Sequence, residues 1–205
     1  NSDLSFFKNI FKKSTRSANS SGDGQNEESD FMPKSETPTD NRFVHNFINN
    51  GGKFLYSVDQ DEVSKNIALI LEENSWEKSQ LICIDKTITK GFKLEYSFSK
   101  KIKEDSICLI STCEYLIADD GSILISSNQV AEKKLSELPN DIIILAKTDQ
   151  LINNISEGLT GIKNSGKSIP SNITTLKHFK DCNDKDFLSY GSSSKNLYLI
   201  LLENQ

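Results

Sequence analysis

No stretch of about 18 consecutive apolar residues occurs in this chain, so nothing in it predicts a helix that crosses a bilayer. Its first residues also lack an apolar run followed by a small-residue cleavage site, and a cytoplasmic location is the expectation. Cysteine is scarce. The four residues, Cys83, Cys108, Cys113 and Cys182, form no C-x-x-C pair and no Cys/His group at metal-ligand spacing, so they read as reduced thiols, with no metal expected. An iron–sulfur cysteine pattern is missing, as are flavin and nicotinamide fingerprints, so no cofactor is expected in this chain. Positive charge is short as well: 24 Lys and Arg stand against 29 Asp and Glu, a net charge of −5, and nucleic acid is not an expected partner. No G-x-S-x-G elbow accompanies His45 and His178, which leaves a Ser-His-Asp triad without support.

What is present divides into three parts. Residues 1–16, NSDLSFFKNIFKKSTR, set Leu4, Phe7 and Phe11 on one helical stripe, with Lys8, Lys12, Lys13 and Arg16 around the rest. This short basic amphipathic segment reads as a terminal turn that packs on its own domain or frays, the alternative being a tether to an anionic membrane surface or a partner. Residues 17–41 are rich in Ser, Asn, Gly, Pro and acids and bury too little to order themselves, which makes them a flexible polar linker. Residues 42–205 carry the apolar content of a folded domain.

Within that domain the pattern alternates. Asp40 is placed to cap a helix through Phe43, Val44, Phe47 and Ile48 that stops at Gly51-Gly52, and KFLYSV follows as a strand. Helical spacing of Val63, Ile67, Ile70 and Leu71 precedes the buried strand LICID. FKLEYSF alternates as a short strand or extended loop; SICLIST, DIIILA and NLYLILLE read as further buried strands. TDQLINNISEGLTGIKN predicts one helix from Thr148, with Leu151, Ile152, Ile155, Leu159 and Ile162 on one face. Short continuous apolar strands separated by amphipathic helices predict an α/β fold: an open, mostly parallel sheet with flanking helices.

One phosphate motif is excluded by this order. Gly161 to Ser168, GIKNSGKS, matches G-x-x-x-x-G-K-[ST], but a P-loop must leave a strand and enter a helix. Here a helix precedes the pattern and Ile169-Pro170 follows it. The motif reads as an exposed loop.

Ser111 to Leu151 is more informative. Asp120-Gly121 between two apolar runs predicts a tight hairpin in which Asp119 pairs with Ser122, Ala118 with Ile123, Ile117 with Leu124 and Leu116 with Ile125. One face is then apolar and the other, with Tyr115, Asp119, Ser122 and Ser126, is mixed, as a pocket lining or a partly exposed edge would be. The succession A-D-D-G-S, I-L-I-S-S, E-K-K-L-S-E-L-P, I-I-I-L-A and D-Q-L resembles the LUD domain, the family of lactate-utilisation protein C, whose members show a turn like A-E-T-G-S and an R-x-L-S-x-L-P segment. The likeness is good over about 105–159, looser over 43–99 and absent before Asn41. Asp120, Ser126-Ser127-Asn128, Lys133 and Lys134 depart from the family pattern, and its C-terminal glycine- and arginine-containing motif is replaced by SNITTLKHFKD and YGSSSKNLYLILLE, marking a divergent member.

That resemblance implies a sheet similar to the NagB/RpiA/CoA-transferase group, with ligands at strand ends. It implies a role in lactate utilisation, as an accessory component whose partners, iron–sulfur proteins among them, handle the electrons. The alternative is a small-molecule-binding or transferase-like enzyme acting on a phosphorylated or CoA-linked substrate; whether the chain catalyses is left open. On fold analogy, a carboxylate or phosphate ligand would meet strand-end loops around Thr112, Glu114, Ser122, Ser127 and Lys134, together with Asp120 and Gly121 of the turn. Glu114 is placed to face Lys134 across a pocket or to form a surface ion pair with it. Ser192 and Ser193, in the YGSSS run, are candidates for an anion nest of backbone N–H groups, the alternative being a flexible Gly/Ser loop.

Overall fold

The computed structural model describes residues 37–85, 88–92, 94, 106–131, 133–166, 168–177 and 196–204. The amphipathic stretch 1–16, nearly all of the linker, most of FKLEYSF, Lys167, His178, Cys182 and the 190–194 run with Ser192 and Ser193 lie outside them.

Helix α1 (Thr39–Asn49) buries Phe43, Val44 and Phe47, as its spacing predicts, while Ile48 is 47% exposed. Its start differs from expectation. Pro38 occupies the cap position, where its fixed φ suits helix entry, and Asp40 lies inside the first turn, where its charge favours the dipole. Strand β1 (Lys53–Ser57) follows, then α2 (Gln60–Glu73), capped by Asp59, whose carboxylate accepts from the Glu62 amide at 2.8 Å. Strand β2 (Leu81–Ile82) and helix α3 (Ile88–Gly91) are short.

Strands β3 (Cys108–Thr112), β6 (Asp141–Lys147) and β9 (Asn196–Leu202) complete a five-stranded sheet of order β1-β9-β6-β3-β2, parallel throughout. Side chains alternate across it. Cys108, Ile110, Ile143, Leu145, Tyr198 and Ile200 pack with Val63, Ile67, Ile70 and Leu71 of α2, while Leu109, Ile142, Ile144, Leu199 and Leu201 on the other face are buried just as fully. Burial on both faces is why these strands are continuous apolar runs rather than alternating ones.

A second, four-stranded sheet has the order β7-β4-β5-β8, built from β4 (Tyr115–Ile117), β5 (Ser122–Ser126), β7 (Leu151–Ile152) and β8 (Ile173–Leu176). Helix α4 (Ser127–Val130) follows β5 directly. The predicted hairpin forms, but with Leu116 opposite Ile123 and Ile117 opposite Ser122, two residues from the expected register. A slip of two keeps every strand residue on its predicted face. It arises because Ala118–Gly121 form a longer turn, in which Asp120 Oδ1 accepts from the Ser122 hydroxyl at 2.6 Å and the Ser122 amide at 3.0 Å.

The helix expected from Thr148 is broken. Thr148–Gln150 make a 3-10 turn, Leu151-Ile152 pair with β4 as β7, and α5 begins at Ile155 and runs to Asn164. Asn154 caps α5, accepting from the Glu157 amide at 3.0 Å, so the local capping signal prevails over the apolar periodicity. Ile162 is buried, while Ile155 and Leu159 are 44% and 43% exposed. Ile162 packs with Ile117 and Leu124, so α5 covers this part of the mixed hairpin face, while Tyr115 of the same face lines a cavity.

One junction positions the site. β3 passes into β4 through Cys113-Glu114, and β6 passes into β7 through Thr148–Gln150. β3 pairs with β6 and β4 with β7, both parallel, so two neighbouring strands leave the first sheet and enter the second side by side.

Candidate functional site

A cavity of about 1150 Å³ opens at this junction. Thr112, Cys113, Glu114 and Tyr115 come from the β3–β4 passage, Lys147, Asp149 and Gln150 from the β6–β7 passage, and Ser127, Asn128 and Gln129 from α4; Ile84, Phe92, Ile162, Ser165, Ser168 and Pro170 line the rest. It lies at the carboxyl ends of parallel strands, where open α/β sheets hold their ligands.

Gln150 ties the two passages together. Its amide nitrogen donates to the Cys113 carbonyl at 2.7 Å and the Glu114 carbonyl at 3.2 Å, and its oxygen accepts from the Lys147 amide at 2.8 Å. Both ends of the side chain are engaged in holding the floor.

Glu114 is the most constrained charged group in the cavity. Its Oε1 accepts from the Ser126 hydroxyl at 2.6 Å, Asn128 Nδ2 at 2.9 Å and Gln129 Nε2 at 3.2 Å. These donors follow from local sequence: Ser126 caps α4 and Gln129, three residues on, returns a bond to the Ser126 amide at 2.8 Å, the reciprocal arrangement that S-x-x-Q favours. Ser126 and Gln129 are buried, so the carboxylate is held from behind.

Thr112 sits against the buried Asp85, whose Oδ2 accepts from the Thr112 amide at 3.1 Å and also from its hydroxyl. With that hydrogen committed, the Thr112 oxygen has lone pairs left to offer. Lys147 supplies the cationic side chain of the lining, its ammonium 5.9 Å from the Phe92 ring centre. Cys113 contributes no nucleophile: burial, with the Glu114 and Asp85 charges beside it, pushes its thiol well above the ordinary range. Among the described residues, no three or more His, Cys, Asp or Glu are grouped to hold a metal, and no helix is long and apolar enough to cross a membrane.

The LUD domain family model matches residues 41–202. This chain belongs to the LUD domain family. The LUD domain is also similar to a solved structure, that of a DUF162 family protein from Deinococcus radiodurans at 1.70 Å, with a TM-score of 0.58, 14% identity, and 80% of this chain and 96% of that chain covered. At such identity the likeness carries the fold alone. No curated protein matches the chain.

In this LUD domain Thr112, Glu114 and Ser127 come together in the cavity, whereas the other described candidates lie elsewhere. Asp120, Gly121 and Ser122 are at the far end of the hairpin, bound to α1: Asn50 Nδ2 donates to the Asp120 carbonyl at 2.7 Å, and Asn46 Nδ2 donates to Ala118 and Asp119 carbonyls at 2.9 and 3.2 Å. Gly121 has φ +68°, and a Cβ on it would fall 2.4 Å from the Phe47 backbone nitrogen, so both backbone conformation and the closeness of α1 require glycine. Lys134 opens a 3-10 turn, its amide donating to Glu137 at 2.7 Å, and makes no ion pair with Glu114.

The first glycine of GIKNSGKS also has a packing role. A Cβ on Gly161 would fall 2.3 Å from the Tyr115 hydroxyl, so the residue admits that ring against α5. Helix, loop and strand β8 follow in the order that a P-loop forbids. Lys147, Gln129 and Gln150 were missed by sequence reasoning. The S-x-x-Q capping pattern signals Gln129; nothing local signals the other two, because parallel pairing of β3 with β6 is what brings them to Glu114.

Proposed function

We propose that this LUD domain serves lactate utilisation, the oxidation of L-lactate to pyruvate, as a component without redox chemistry of its own. Electrons would pass through partner subunits of the iron–sulfur type, in the cytoplasm. The family match over residues 41–202 carries this reading. Its test is a deletion strain grown on L-lactate, with affinity purification of the chain from wild-type cells. Impaired growth and co-purified oxidoreductase subunits are expected; normal growth without such partners rejects it.

The cavity favours a second reading at the same place: a site for a small anionic ligand, carboxylate or phosphate, including a phosphorylated or CoA-linked substrate. At about 1150 Å³ it exceeds what a three-carbon acid fills, and small-molecule sites span roughly 300–1,000 Å³. Lys147 supplies the charge for the anion against the carboxylates of Glu114 and Asp149, and the Ser127 hydroxyl, which accepts from the Ser171 amide at 3.2 Å, has its hydrogen to donate. Thermal shift with sugar phosphates, CoA esters and 2-hydroxy acids tests it: a binder at about a hundred times its Kd stabilises by about 2.7 kcal/mol. The reading fails when every ligand leaves the melting temperature unchanged. It gains when a Lys147→Met variant loses a shift seen in the wild type.

A further inference from the structure

The geometry points to Glu114 as a specificity-determining acceptor: the anion held in this cavity must carry a hydroxyl that donates to Glu114, and its keto counterpart is disfavoured. This rests on the reading of the cavity as an anion site. An oxygen of a carboxylate has about two lone pairs, and Glu114 Oε1 already receives three donors, from Ser126, Asn128 and Gln129. Oε1 is therefore saturated. Among the described residues every hydrogen bond to this carboxylate falls on Oε1, which leaves Oε2 as the oxygen available to a ligand. Thr112 reinforces the pattern, because its hydroxyl hydrogen goes to Asp85 and its oxygen can only accept.

A wall of acceptors selects for donors. A hydroxyl gives Glu114 a hydrogen; a carbonyl at the same atom sets one lone pair against another. The three donors also determine what an amide would do there. In Glu114→Gln the side-chain oxygen must face Ser126, Asn128 and Gln129, so the NH₂ replaces Oε2 and turns the wall from acceptor to donor.

Titration calorimetry on the full chain decides the matter with two hydroxyl/keto pairs: L-lactate with pyruvate, and glycerol 3-phosphate with dihydroxyacetone phosphate. Propionate and methyl phosphate report the anion site alone. The wild type should bind the hydroxyl member about tenfold more tightly than the keto member, in the carboxylate pair or the phosphate pair according to which anion the site takes. E114Q should remove or reverse that preference, read as the ratio within each pair; losing the carboxylate's charge tightens every anion, and the anion-only probes measure by how much. Equal binding within a pair, or a keto preference in the wild type, overturns the inference and leaves the anion site standing. Absence of binding by all six probes overturns the inference, and the anion site itself then stands or falls by the thermal-shift series with the larger ligands. If E114Q does not fold, the wild-type ratios decide.

Discussion

The two ends of the β4–β5 hairpin make opposite use of similar polar residues. At the turn, Asp119, Asp120 and Ser122 are bound to neighbouring protein groups: Asp119 to Arg42 at 3.3 Å, Asp120 to Ser122 and to Lys177 at 3.4 Å, and the turn carbonyls to Asn46 and Asn50. At the other end Glu114 also collects protein donors, but among the described residues all of them fall on one oxygen, and the side chain lines the cavity. A satisfied group holds structure, whereas a group satisfied on one side is both held and available. The sequence pattern A-D-D-G-S drew attention to the first end, and the candidate chemistry lies at the second.

Substitutions at each end put that contrast at risk. The largest effect is expected at Gly121. Gly121→Ala places a Cβ 2.4 Å from the α1 backbone at a φ of +68° and should cost about 3 kcal/mol in urea unfolding. A loss under about 1 kcal/mol would show that α1 is not seated on the turn. Next come Asn46→Ala and Asn50→Ala together, which strip donors from three turn carbonyls and should cost about 2 kcal/mol. Ligand affinity at the cavity should stay unchanged in that double variant, and a parallel loss of binding would erase the division between the ends.

Glu114→Gln keeps the three donor contacts and should change unfolding free energy by about 0.5 kcal/mol or less, while altering ligand preference. A large stability loss would make Glu114 a structural residue like Asp120. The smallest effect concerns pH. Burial alone would raise the Asp120 carboxyl, but hydrogen bonds from Ser122 and the Lys177 charge outweigh it and hold the group below its ordinary value of 3.8. Its stabilisation is therefore present above that value and lost as pH falls through the lower folded value. Exposure keeps it to about a few tenths of a kcal/mol, and Asp120→Asn should flatten the acid limb of a stability–pH curve by that amount.

Much of the fold could be read directly. CLIST, DIIILAK and NLYLILL are strands because burial on both faces demands unbroken apolar residues, and Val63, Ile67, Ile70 and Leu71 mark α2 because one helical face meets the sheet. The break at Asn153-Asn154 was concealed by Leu151 and Ile152, which fit the helical stripe of α5 and serve as strand β7. That the predicted hairpin belongs to a second sheet was hidden for a related reason: its outer partners β7 and β8 have two and four residues, too few to show a period. Of the candidate site, Thr112, Glu114 and Ser127 stand at strand ends and could be named from the sequence. Lys147 and Gln150 could not, since only pairing between distant strands brings them into the same cavity as Glu114.

The short passages between the sheets carry one more implication. Cys113-Glu114 and Thr148–Gln150 are each anchored by ladder pairing before and after, so the floor beneath an incoming molecule is set when the chain folds, not when the molecule arrives. Affinity for a ligand of this cavity would owe little to induced ordering, and lengthening either link by one residue would turn a stiff template into a slack one.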